Sequence, residues 1–139
     1  WFNGIKIPDH LIKHYYVIYI YRNPAFAIPS RFLNSNHLWN IQSNSNIKLE
    51  YVLSSKKDLY NIREFYNNYT TPNPKRNYKI ICVKYEDIFE KQHDLSKVLG
   101  VGNLNLVNKS ARKNGHPELE EIYSDLITEM KNKDFITIS

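Results

Sequence analysis

Several polar residues of this chain stand at positions where a folded protein can hold an anion. Arg22 directly follows the apolar run 15–21, and Ser30 comes eight residues after Arg22. Asn23 and Pro24 are typical of a helix N-cap and of a first helical residue, so we expect a helix to begin there. An arginine beside a helix N-terminus with free N–H groups is suited to bind an anion, and Ser30 should reach the same anion. The alternative is an ordinary strand-turn-helix in which Arg22 caps a nearby group.

Two further segments also place polar residues at the end of an element. Residues 79–84 form a second buried-strand pattern, and Tyr85 and Asp87 stand where this strand ends and a short helix begins. Nearer the C-terminus, the basic turn 112–115 reads Arg-Lys-Asn-Gly. Each has a plain structural alternative: a half-buried core tyrosine, a helix cap at Asp87, and a solvated basic turn.

In this order, the three segments resemble the sulfotransferases that use 3′-phosphoadenosine 5′-phosphosulfate (PAPS). In that family a strand ends in Arg-(Asn/Asp)-Pro, with a serine eight residues after the arginine. A later strand is followed by Tyr-Glu-Asp, and a basic, glycine-containing loop comes near the C-terminus. The resemblance extends from Ile12 to Gly115 in this chain.

The resemblance implies roles for particular residues. Arg22, Ser30 and Arg112 would anchor the 3′-phosphate of PAPS or of its product, 3′-phosphoadenosine 5′-phosphate (PAP). Tyr85 would lie against the adenine, because a flat aromatic face suits a purine ring. The acidic residues after Tyr85 would cap the next helix, which is also the role that we expect for Asp87.

The same resemblance assigns the basic turn to a loop that folds over the 3′-phosphate. Arg112 and Lys113 would neutralise the phosphate, and Gly115 would allow the backbone to approach it. Asn114 is a one-residue insertion relative to the shortest form of this loop. All four residues are therefore candidate cofactor-binding residues.

Two parts of the family pattern are absent from the sequence. The family's Lys-x-Gly-(Thr/Ser)-(Thr/Ser) loop, which holds the 5′-phosphosulfate, has no counterpart, and the family's general base lies upstream of the matched region. The sequence therefore assigns no catalytic residue. We expect a fragment: residues 1–139 would be one domain, the C-terminal portion of a P-loop-like α/β fold with a parallel sheet flanked by helices. Such a fragment should bind the 3′-phosphate and adenine but have no transferase activity alone.

Hydrophobic periodicity predicts the elements that position these residues. The run 15–21 is apolar almost throughout, which favours a strand buried on both faces. A helix should cover 24–33, with Pro29 removing one of its hydrogen bonds just before Ser30. The Asn- and Ser-rich stretch 34–46 is expected to be a loop anchored by Trp39, where an acceptor could bind.

The C-terminal half is expected to contain three more helices and a short terminal strand or tail. These are a helix capped by Asp58, a helix over 94–99 ended by Gly100, an amphipathic helix that starts at Pro117 and packs on the sheet, and the segment 135–138.

Composition limits the remaining possibilities. The chain has 139 residues, 42% of them hydrophobic, and a formal net charge of +5 with a pI near 9.2. It is therefore expected to be globular and to bind anionic partners. Cys82 is the only cysteine, no apolar run is long enough to span a membrane, and we expect no metal site, although His10 and His14 stand four apart.

Two other functions stay open beside a PAPS-dependent sulfotransferase acting on a glycan or a small hydroxyl compound. One is an inactive sulfotransferase-like domain kept as a structural or binding part. The other is a basic module that binds nucleic acid, which is disfavoured because the basic residues are scattered along the chain.

Overall fold

The computed structural model describes residues 6–32, 47–108 and 115–139. These residues form seven helices and three strands: α1 Asp9–Ile12, β1 Val17–Tyr21, α2 Pro24–Phe32, α3 Leu49–Ser55, α4 Ile62–Thr70, β2 Ile80–Lys84, α5 Gln92–Leu99, α6 Pro117–Ile122, α7 Ser124–Asn132 and β3 Ile136–Ile138. A 3₁₀ turn, Tyr85–Asp87, follows β2. The predicted loop over 34–46 and its anchor Trp39 lie outside the described residues.

The sheet has the strand order β1-β2-β3 and is mixed. β1 and β2 are parallel, with Val17 opposite Ile80 and Tyr21 opposite Lys84. β3 is antiparallel to β2, and Ser139 and Ile80 exchange two backbone hydrogen bonds of 2.9 and 3.0 Å. The α/β class is confirmed, but the expectation of an all-parallel sheet is wrong because the third strand returns alongside β2 in the opposite direction.

The two parallel strands are buried to different extents. β2 is buried on both faces, with Ile80 and Val83 at 0% exposure. β1 is not, because Ile18 and Ile20 are 42% and 52% exposed. The apolar run that predicted burial on both faces is therefore covered on one face only.

The described chain divides into two compact units. The first contains the sheet, α1 and α5. On one face of its sheet Ile81, Val83, Ile88, Leu95 and Phe135 form a hydrophobic cluster. On the other face aromatic rings pack together, with Tyr19 stacked on Tyr69 at 4.8 Å between ring centroids.

The second unit contains α2, α3, α6 and α7, and α2 packs against α6. The helix expected to start at Pro117 is in fact two helices, because the backbone at Tyr123 leaves the helical conformation (φ −107°, ψ 18°). Within the second unit α6 packs on α2, and the expected packing of this segment on the sheet stays a prediction.

Two predicted helix boundaries are confirmed. Asp58 caps α4: its two carboxylate oxygens accept hydrogen bonds from the backbone N–H groups of Ile62 and Arg63, both at 2.9 Å. Gly100 ends α5 in the left-handed conformation (φ 63°, ψ 28°), which glycine adopts without steric cost.

Candidate anion-binding site

The start of α2 is the centre of the predicted anion site. Asn23 caps the helix as expected, and its side-chain Oδ1 accepts a hydrogen bond from the backbone N–H of Ala25 at 2.9 Å. The backbone N–H groups of Phe26 and Ala27 both bond to the Asn23 carbonyl at 3.0 Å, and Pro24 has no N–H. The expectation of free N–H groups at this helix end is therefore wrong, because Asn23 already occupies them. What α2 offers an anion is the positive end of its dipole.

Arg22 lies against the helix that it precedes. Its guanidinium carbon is 5.6 Å from the ring centroid of Phe26, in a cation–π contact. Ser30 is four residues after Phe26, so the two residues share one face of α2. Arg22 is thus directed along the helix face that carries Ser30. Their convergence on one anion stays a prediction.

The hydroxyl of Ser30 is exposed and serves its own helix. It donates a hydrogen bond of 2.7 Å to the carbonyl oxygen of Ala27, three residues earlier. To donate to a phosphate oxygen, it must rotate away from that carbonyl, at the cost of one local hydrogen bond. A hydroxyl hydrogen can rotate to suit its acceptor, and the exposed position of Ser30 leaves that rotation possible.

Pro29 leaves one backbone carbonyl on the first turn of α2 without its helical hydrogen-bond donor. A proline cannot donate to the carbonyl four residues earlier, which here is that of Ala25. The Ala25 carbonyl instead accepts a hydrogen bond of 3.0 Å from the backbone N–H of His116. The hydrogen bond that Pro29 removes from the helix is therefore replaced by one that holds a distant segment of the chain.

Gly115 packs closely against the same turn. A Cβ at Gly115 would lie 3.1 Å from the Cβ of Ala25 and 2.5 Å from Oε1 of Glu120. Ala25 is completely buried and cannot move easily. Gly115 is therefore needed for the close approach of the chain to α2, and its role beside a phosphate stays a prediction.

We expect Gly115→Ala to lower the free energy of unfolding by roughly 1–3 kcal/mol, the usual cost of overpacking a tight contact. Gly102→Ala is the matched control, because a Cβ there has no atom within 4 Å. Chemical denaturation of both variants measures the difference. Equal stabilities would mean that the chain at Gly115 relaxes away from Ala25 without cost.

The rest of the basic loop, Arg112, Lys113 and Asn114, lies outside the described residues, and its contacts stay predictions. Its C-terminal end is nevertheless located, because Gly115 and His116 are held on the first turn of α2. This is the turn that directly follows Arg22 and Asn23 in sequence. One end of the basic loop, the arginine and the capped helix start thus belong to the same compact unit.

Tyr85 follows β2 as Arg22 follows β1. The two parallel strands end side by side, since their last residues Tyr21 and Lys84 are register partners. Tyr85 is half-buried, packs on the hydrophobic cluster of β2 and α5, and meets the ring of Phe89 edge-on at 5.5 Å. This packing matches the core-tyrosine alternative, and a role beside adenine stays a prediction.

The acidic residue after Tyr85 does not act as a helix cap. Within the described segment 84–99, no side-chain hydrogen bond caps either the 3₁₀ turn or α5. Asp87 lies inside the 3₁₀ turn, and α5 begins only at Gln92. Its carboxylate instead lies between two ammonium groups, 3.8 Å from Lys84 Nζ and 3.5 Å from Lys91 Nζ. The predicted cap is wrong because four residues separate Asp87 from the helix.

Sequence reasoning missed the roles of Ala25 and His116, which join α2 to α6. The signal was present in Pro29, because a proline inside a helix frees the carbonyl four residues earlier for another donor. The partner of that carbonyl could not be read from the sequence, since it lies 91 positions further along the chain.

The described residues contain neither a group of metal ligands nor a membrane-spanning helix. No group of three or more His, Cys, Asp or Glu side chains in the described part of the chain is arranged to hold a metal ion. Of the helices in residues 6–32, 47–108 and 115–139, none is long and apolar enough to cross a membrane.

Comparison with known proteins found no match: no protein-family model, no curated protein and no solved structure is similar to this chain. The function of this chain is therefore inferred from its own residues and their geometry.

Proposed function

We propose that this chain is the cofactor-binding part of a PAPS-dependent sulfotransferase, and that it binds the 3′-phosphate and the adenine of PAPS or PAP. One observation carries the proposal. Gly115 and His116 hold the end of the basic loop on the first turn of α2, which begins beside Arg22 and carries Ser30 further along. The stretch that contains Arg22 and Ser30 thus belongs to the same compact unit as the anchored end of the basic loop, which supports the arrangement that the resemblance requires.

The residues fit a phosphate group in part. Arg22 supplies a permanently charged fork of donors, the start of α2 supplies the positive end of a dipole, and Ser30 supplies a hydroxyl that can rotate. The backbone N–H groups of α2 do not contribute, because Asn23 occupies them. Recognition of the phosphate must then depend on side chains, above all on Arg22 and on the cations of the basic loop.

In this proposal the chain binds and orients the nucleotide, and none of its residues is assigned to proton transfer. The reaction is in-line transfer of a sulfuryl group to a hydroxyl or amine of an acceptor such as a glycan or a small hydroxyl compound. Such transfers depend on positioning and on stabilisation of charge. Holding the 3′-phosphate and the adenine positions the nucleotide without interacting more strongly with the transition state than with the ground state.

Arg22→Ala tests the proposal through nucleotide selectivity. We expect the variant to lose about tenfold or more in affinity for PAP but little for adenosine 5′-phosphate, which lacks the 3′-phosphate. A charge-assisted contact of this kind contributes roughly 1.5–3 kcal/mol. Isothermal titration calorimetry of both nucleotides against both proteins measures the difference.

The control is Arg63→Ala, which also removes one arginine but from a partly exposed pair with Glu129, 3.7 Å apart. It should leave the preference for PAP over adenosine 5′-phosphate unchanged. If Arg22→Ala weakens both nucleotides equally, Arg22 has a structural role only. If the unsubstituted protein does not distinguish the two nucleotides, the proposed 3′-phosphate site is wrong.

The second candidate is a sulfotransferase-like domain without activity that serves as a structural part. The packing of Tyr85 on the hydrophobic cluster favours it, because a tyrosine used in the core needs no nucleotide to explain it. The same calorimetry separates the two candidates: this second one predicts no binding of PAP by the unsubstituted protein.

A further inference from the structure

Arg76 is a buried arginine outside the proposed nucleotide site. It lies in the connection between α4 and β2, and it is only 9% exposed. Among the described residues it is the one charged residue in the buried class. Arginine is almost never buried unless it is paired, so its surroundings need an explanation.

Most of the hydrogen-bonding capacity of Arg76 is unused. Nη2 donates to the carbonyl of Thr71 at 2.7 Å, and the backbone N–H donates to the carbonyl of Asn73 at 3.0 Å. Nε and Nη1 are buried and have no hydrogen-bond partner among the described residues. Both bonds that Arg76 makes stay within residues 71–76, so one short segment of chain holds it.

No acidic residue of this chain neutralises Arg76. All 14 Asp and Glu residues of the sequence fall within residues 6–32, 47–108 and 115–139. The ion pairs found in these ranges join Lys56 to Glu121, Arg63 to Glu129, and Lys84 and Lys91 to Asp87, and none includes Arg76. Because the undescribed residues contain no Asp or Glu, they cannot supply a carboxylate side chain either.

An uncompensated guanidinium in the interior is costly. It cannot lose its proton under ordinary conditions, so neutralisation requires an anion. Its charge also acts on its neighbours: burial raises the pKa of Tyr78 and of Cys82, and the positive charge of Arg76 lowers both. No acidic side chain of the chain balances this charge inside the unit.

We propose that Arg76 forms a binding site for a small free oxyanion, which its unpartnered Nε and Nη1 donors would hold. The ligand class is a phosphate, a sulfate or a small carboxylate, because each offers oxygen acceptors and a negative charge to a guanidinium. The segment 71–76 supplies the site. The site is independent of the proposed nucleotide site, which depends on Arg22.

The direct test observes the Nε–H group of Arg76 by proton–nitrogen correlation spectroscopy of the labelled protein. The signal of Arg76 is identified by its loss in Arg76→Lys. Separate titrations with phosphate, sulfate and acetate should shift this signal saturably in at least one case, whereas chloride at equal ionic strength should not. The active titration identifies the anion class. No shift with any oxyanion, or a shift equal to that with chloride, overturns the proposal.

A second test measures thermal unfolding with and without the oxyanions. At a hundred times the dissociation constant, the melting temperature of the unsubstituted protein should rise by about 5–10 °C. Arg76→Met should lose this rise and melt at or above the unsubstituted protein when no oxyanion is present, since removing an unpaired buried charge is not destabilising. Arg63→Met, which removes an arginine outside both proposed sites, should keep the rise.

The two tests separate this site from the proposed nucleotide site. A rise that is lost in Arg22→Ala and kept in Arg76→Met would place the anion elsewhere and overturn the inference. A rise lost only in Arg76→Met supports it, whether or not PAP binds. If Arg76→Met does not fold, the spectroscopic titration and Arg76→Lys decide the matter.

Discussion

Ile81→Ala is expected to destabilise the protein by about 2–5 kcal/mol. Ile81 lies at the centre of the sheet, 6% exposed, and belongs to the hydrophobic cluster with Val83, Leu95 and Phe135. Truncation removes buried methyl and methylene groups and leaves a cavity that the neighbouring strands cannot close. Denaturant unfolding of the variant measures the loss, which is large beside the 5–15 kcal/mol stability of an ordinary domain.

The matched control is Ile18→Ala. Ile18 is the register partner of Ile81 on β1, so the two side chains share one face of the sheet, but Ile18 is 42% exposed. The same truncation should cost less than about 1 kcal/mol there, as at most surface positions. A loss at Ile18 equal to that at Ile81 would mean that β1 is covered on both faces, as its apolar sequence had suggested.

Asp58→Ala should cost about 2–4 kcal/mol, because one carboxylate serves two parts of the second unit. It caps α4, a role that contributes about 0.5–2 kcal/mol. Its Oδ1 also accepts a hydrogen bond of 2.7 Å from the hydroxyl of Tyr123, which is 2% exposed. Burial, then the hydrogen bond and the charge of Asp58, raise the pKa of Tyr123, so the hydroxyl stays protonated and donates. Without Asp58 that donor is left unsatisfied in the interior, which adds about 1–3 kcal/mol.

A double-mutant cycle separates the two contributions. In a Tyr123→Phe background, Asp58→Ala should cost only the cap, so the two substitutions should be coupled by about 0.5–3 kcal/mol. The measurement is the free energy of unfolding of the two single variants, the double variant and the unsubstituted protein. Strictly additive losses would show that the 2.7 Å contact between Tyr123 and Asp58 contributes nothing to stability.

Local rules predicted several of the residues that begin or end helices. The N-cap at Asn23, the cap at Asp58 and the stop at Gly100 are each decided by one residue and the few backbone groups beside it. The prediction at Asp87 failed for the same kind of reason, because an acidic residue caps a helix only when the helix begins within reach of it. Local chemistry is readable from the sequence when the boundary of the element is known to within a residue or two.

The candidate site could be predicted as a set of residues but not as an arrangement. Arg22, Ser30 and the loop 112–115 were chosen for their types and order. Asn23 as a cap and an anion at the start of α2 require the same backbone N–H groups, and in the structure Asn23 occupies them. The backbone geometry at Asn23 decides whether the cap or an anion accepts hydrogen bonds from these N–H groups.

The sequence by itself determined the α/β class, the apolar strands and the capping residues, because these depend on periodicity and on contacts within a few positions. Only the tertiary structure decided which strand is an edge of the described sheet and which direction β3 takes. It also decided which N–H group donates to the Ala25 carbonyl, which Pro29 leaves without its usual helical donor. It also decided that Arg76 is buried and forms no ion pair with an acidic side chain of the described residues. These features join residues tens of positions apart, and the chain must be folded before any of them has a neighbour.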